Sequence, residues 1–201
     1  MRTMLHWGIP ILQQAAIIWV AVCAVVIPAL VLYQRRRWGA LHKKSLLFTP
    51  VILLYLVSVI SFTFLPLPDP DTFQCNPGLY YPRYYAGWSV QYAFQNTQGL
   101  GVSRFFTWWF MQIYLNVLLF VPWGIIGRRV LKWNFRTVLF SAFGASLLIE
   151  LTQLTGLWGI YHCRYRTFDV DDMITNTLGA IIGWALMEIF SRHRARGQGR
   201  Q

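Results

Sequence analysis

The stretch RTFDVDDMITNTLGAIIG, Arg166 to Gly183, begins acidic and ends apolar. Three of the chain's seven carboxylates, Asp169, Asp171 and Asp172, fall within four positions at its start. An apolar run long enough to cross a bilayer follows at once. Wound as a helix, Asp172, Asn176, Gly179 and Gly183 step by four, three and four, and so form one stripe. Polar and ionisable groups are costly in hydrocarbon and turn towards protein or water. The stripe therefore predicts a membrane helix with a polar site on its inward face.

The rest of the chain has the matching composition. Of its 201 residues 56% are hydrophobic and 12% charged, as in membrane proteins. Five nearly uncharged stretches predict transmembrane helices over about 9–33, 46–67, 105–127, 137–158 and 170–191. The first of these reads as a retained helix, because its apolar run is too long for a signal peptide and its positive charge follows it. The expected fold is all-α: a polytopic membrane helical bundle formed by a single domain over 1–201.

The net charge of +11 is a topology signal. Arg35, Arg36, Arg37, Lys43 and Lys44 follow the first span. Arg128, Arg129, Lys132 and Arg136 separate the third and fourth, and Arg192, Arg194, Arg196 and Arg200 follow the fifth. The positive-inside rule then places the N-terminus outside and the C-terminus in the cytoplasm. Charge used this way argues against nucleic acid as a partner.

In that topology the long loop 68–104 is external, and Tyr80, Tyr81, Tyr84, Tyr85 and Trp88 form either an interfacial belt or a surface that stacks on sugar. Cys75 and Cys163 both face an oxidising compartment. A disulfide between them requires an approach of their Cα atoms that sequence does not give. On 1.5 Å per residue, Glu150, Asn176 and Asn116 lie roughly 12, 9 and 15 Å below the outer surface. With Gln153 and the loop carrying His162, Arg164 and Arg166, four elements send polar groups to one region.

The ordered set Asn116 with Phe120-Val121-Pro122-Trp123-Gly124, then Glu150 and Gln153, then Arg166, Asp169, Asp172, Asn176 and Gly179, resembles the VanZ-like membrane proteins. The resemblance spans roughly Leu46 to Ile189. It implies a multi-pass protein of the bacterial cell membrane, associated with lowered susceptibility to lipoglycopeptides such as teicoplanin. It supplies no reaction. The tyrosine-rich loop looks larger than the family core needs.

Each residue also has a structural explanation. The aspartates suit a helix N-terminus, with Asp169 and Asp172 at capping-box spacing. Arg166 can pair with Asp169. Gly179 and Gly183 form a G-x-x-x-G packing motif. Glu150 is either functional or a protonated hydrogen-bonding link to Asn116 or Asn176. No serine or cysteine has an evident His/Asp pair, His162 and the carboxylates lack metal-ligand spacing, and no cofactor is expected.

The expected site is thus Asn116, Glu150, Gln153, Arg166, Asp169, Asp172 and Asn176. It would bind a membrane lipid, a lipid-linked cell-wall component or the glycopeptide itself. The alternatives are an enzyme with Glu150 as general acid or base and Asp172 as its partner, or an assembly protein whose polar stripes only pack helices.

Overall fold

The structure, a computed structural model, describes residues 2–69, 71–76, 78 and 80–198, with side chains from 9 to 194 among them. It is all-α: α1 (Arg2–Trp38), α2 (Lys43–Phe64), α3 (Trp88–Gln95), a 3-10 turn (Gly101–Phe106), α4 (Trp108–Arg129), α5 (Phe135–Leu154), the single turn α6 (Gly156–Gly159) and α7 (Val170–Gln198). No strand occurs among the described residues. One isolated backbone pairing joins Arg83 to Asp169. Five segments are long and apolar enough to cross a membrane: Ile9–Trp38, Lys43–Phe64, Trp108–Arg129, Phe135–Leu154 and Val170–Arg194.

The chain forms two compact units, Met1–Pro68 and Asp69–Gln201. In the first, α1 and α2 run antiparallel. The buried Gln34 closes their turn by accepting the His42 backbone N–H at 2.8 Å, and the Trp19 indole donates to the Pro50 carbonyl at 2.9 Å.

In the second unit α4 and α7 run parallel and very close. A Cβ on Gly179 would lie 2.0 Å from the Val117 carbonyl oxygen, one on Gly183 2.0 Å from that of Val121, and one on Gly124 1.9 Å from that of Ala180. These glycines let two backbones touch, which is how membrane helices associate when burial from water cannot drive them. Pro122 does not break α4. Antiparallel α5 completes the packing, with Val138 and Ala142 fully buried, as is Phe120 of α4.

Two span ends depart from the hydropathy pattern for local reasons. Residues 101–106 coil as the 3-10 turn, so α4 begins only after Thr107, whose backbone is extended. At its far end α5 stops at Leu154 because, after Thr155, four residues turn left-handed. Gly156, Leu157, Trp158 and Gly159 have φ of 61°, 57°, 57° and 90°. For the two L-residues this costs about 1–2 kcal/mol each. The turn is held by Tyr161 N–H donating to the Gly156 carbonyl at 2.9 Å. Any Cβ at Gly156 would meet the carbonyl oxygens of Cys163 and Tyr161 at 2.7 and 2.8 Å.

Candidate functional site

Where α7 begins, its three aspartates diverge to three different partners. Asp169 precedes the helix and caps it, its Oδ1 accepting the Asp171 N–H at 2.9 Å. Its Oδ2 accepts Arg83 Nη1 at 3.0 Å and Ser89 Oγ at 2.7 Å. The sequence offered Arg166 as its ion-pair partner; the structure forms that pair with Arg83, 86 positions away. The same contact carries the backbone pairing, with Arg83 N–H donating to Phe168 and Val170 N–H to Arg83.

Asp171 reaches across to the start of α3. Its two carboxylate oxygens accept the backbone N–H groups of Gly87 and Ser89, each at 2.6 Å. A carboxylate at a helix N-terminus satisfies donors that have no partner within the helix and suits the helix dipole. Asp172 points instead to α4, where its Oδ1 accepts the Asn116 amide.

Glu150 of α5 is fully buried, and its Oε2 accepts the Asp169 backbone N–H at 2.8 Å. One turn earlier Ser146 Oγ accepts the Asn176 amide at 2.8 Å. The Asn176 Oδ1 is buried and has no hydrogen-bond donor among the described residues. Gln153 is buried on α5 beyond Glu150. Arg166 is half-buried, within electrostatic reach of Glu150, Asp172, Tyr80 and Tyr165. Burial pushes its guanidinium below the ordinary value, and these four neighbours pull the other way.

The structure thus brings Asn116, Glu150, Asp169, Asp172 and Asn176 into one connected region, with Arg166 beside it. Sequence reasoning missed Arg83, Ser89 and the long-range role of Asp171. The only available signal for Arg83 was a lone charge inside the aromatic run YYPRYY. Trp88 is not open for stacking, because the Arg83 guanidinium lies 3.7 Å from its ring centroid and Tyr92 stacks on it at 4.6 Å. Tyr84 and Tyr85 remain exposed. Cys75 and Cys163 form a disulfide with Cα atoms 5.8 Å apart, tying the long loop to the α5–α7 connection.

Chemically, the region is rich in acceptors and flanked by two arginines. Among the described residues no three His, Cys, Asp or Glu side chains are grouped to hold a metal ion. Five helices long and apolar enough to cross a membrane, with a buried acid and amide cluster between three of them, define a multi-pass membrane protein. A family model described as VanZ/LLP1 matches residues 52–191, most of the chain and all of this site, and the chain belongs to the VanZ/LLP1 family. No curated protein and no solved structure matches it.

Proposed function

We propose that this protein lowers susceptibility to lipoglycopeptide antibiotics of the teicoplanin type. It does so by binding a lipid-linked or other envelope component in the polar site between α4, α5 and α7. The observation that carries the reading is the Asn176 Oδ1, buried without a donor beside Ser146 and one turn from Asp172. A buried polar group left unpaired costs about 1–3 kcal/mol, and a ligand hydroxyl or amide N–H would remove that cost. Glu150 and Asp172 offer further acceptors, and Arg166 meets the anionic part of the ligand.

The site belongs on the outer side of a bacterial membrane in this reading. Two features support that side: the disulfide at the site's end, stable in an oxidising compartment, and the basic residues concentrated at the opposite helix ends.

The test is glycopeptide susceptibility in a sensitive host expressing wild type, Glu150→Gln or Arg166→Ala at matched membrane levels. Wild type should raise the inhibitory concentration of teicoplanin, and each variant should return it at least most of the way to the host value. No protection from wild type would overturn the resistance reading. Protection unaffected in both variants would remove the polar site from it.

A further inference from the structure

We propose that the groove between the end of α5 and the Cys75–Cys163 disulfide is a phosphate site for a membrane lipid, with Arg164 as its charged ligand. The proposal deepens the reading above, on which it rests for the claim that this end of the protein recognises lipid.

The groove is a cavity of about 330 Å³ lined by Asn76, Tyr80, Thr155, Tyr161, His162 and Arg164, among others. No carboxylate lines it among the described residues. Arg164 is half-buried and makes no ion pair or hydrogen bond among the described residues. The other half-buried arginines of this unit behave differently: Arg83 pairs with Asp169 and Arg128 with Glu188, Arg104 donates to the Gly101 carbonyl at 2.8 Å, and Arg166 lies within electrostatic reach of Glu150 and Asp172. A guanidinium partly withdrawn from water, lining a cavity and facing no anion, presents its planar fork of donors to whatever enters. Phosphate matches that fork in charge and geometry. Asn76 and Tyr80, each carrying a neutral donor, line the same groove.

Depth and surroundings identify a lipid as the source of the phosphate. Leu154, the last residue of α5, lines the groove, so the groove sits where a bilayer-length helix ends and headgroups begin. Its neighbour in sequence is the left-handed turn, an unfavourable conformation kept by two positive-φ L-residues. Such strain persists only where the surroundings enforce it, and it gathers at functional sites. Here the turn displays Trp158 and Ile160, 64% and 66% exposed. The indole is held in place by its N–H donating to Thr152 Oγ1 at 3.1 Å. A fixed, outward tryptophan and isoleucine beside a cationic groove suit acyl chains below a phosphate. Free phosphate would make no use of them.

The test uses the full chain in neutral detergent, with retained ligand read by native mass spectrometry. The separate probes are phosphatidylglycerol, diacylglycerol with the same chains, and inorganic phosphate. Wild type should retain phosphatidylglycerol and not diacylglycerol. Arg164→Gln should weaken that retention about tenfold, the loss of one charge-assisted contact, and Arg164→Lys should restore part of it. Arg129→Gln, at the opposite end of α4, controls for net charge and should retain the lipid as wild type does. Equal retention by wild type and Arg164→Gln, with the disulfide intact in both, would overturn the site. Arg164-dependent retention of inorganic phosphate with no preference for the lipid would overturn the assignment of its source. Because lipid is counted directly, the result stands apart from any resistance phenotype.

Discussion

Tyr165 shows how a single side chain beside the site records its environment. The phenol is buried with no hydrogen-bond partner among the described residues. Burial pushes it up from 10.0 to about 12, with Arg166 opposing and Tyr161 adding to the rise. The folded protein therefore holds this proton to higher pH than the unfolded chain does. Its contribution to stability is complete below pH 10 and is lost as pH rises from about 10 to about 12. Thermal unfolding of Tyr165→Phe followed across that range should lose this part of the alkaline decline. At neutral pH the variant should be as stable as wild type or more stable by about 1–3 kcal/mol, since the hydroxyl it removes is buried and unpaired. A steep loss at pH 7 would mean the hydroxyl has a partner. At this scale the sequence was informative where residues share a helix. The Asp172 and Asn176 stripe follows from spacing alone. It was silent where partners are far apart, as with Arg83 and Asp169, because an ion pair leaves no periodic trace.

The long helices were legible because hydrocarbon demands about twenty apolar residues and internally satisfied backbone groups, so hydropathy is nearly the whole signal. Helix α3 was not. It has eight residues, lies in an aromatic loop read as either a belt or a sugar-stacking surface, and owes its anchoring to Asp171, more than eighty positions on. Three carboxylates at a helix start also have a sufficient local explanation in the dipole of α7, which hid the fact that one of them serves α3. Asp171→Ala should leave α7 in place and release the start of α3, at a cost of about 1–2 kcal/mol, typical of a lost N-cap. Hydrogen exchange at the Gly87 and Ser89 amides is the measurement, and unchanged protection there would show that α3 is held by its aromatic contacts alone. Those contacts are real: Tyr92 meets Trp109, and Phe94 meets Phe105 and Phe110.

Across the whole chain, the basic ends of the spans were the clearest text, and the number of spans followed from it and from hydropathy. What joins distant parts was not readable, because closure of a long loop depends on where the chain returns. The disulfide closes a separation of 88 residues. Constraining so long a loop typically contributes about 2–5 kcal/mol. Reduction, or Cys75→Ser with Cys163→Ser, should lower the unfolding midpoint in detergent by a corresponding amount. Alkylation of the unreduced, unfolded protein should modify Cys23 alone; labelling of Cys75 would remove the bridge. The close glycine seam between α4 and α7 has a mechanical meaning as well. The seam is keyed at Gly124, Gly179 and Gly183, so rotating or sliding either helix carries a side-chain-bearing position onto a carbonyl oxygen. Near one end of the pair stands the Asn116–Asp172 contact, and near the other Glu188 is gripped by Arg128 and Arg192. The seam therefore holds α4 and α7 in one fixed register, with the acid and amide pair at one end and the arginine clamp at the other.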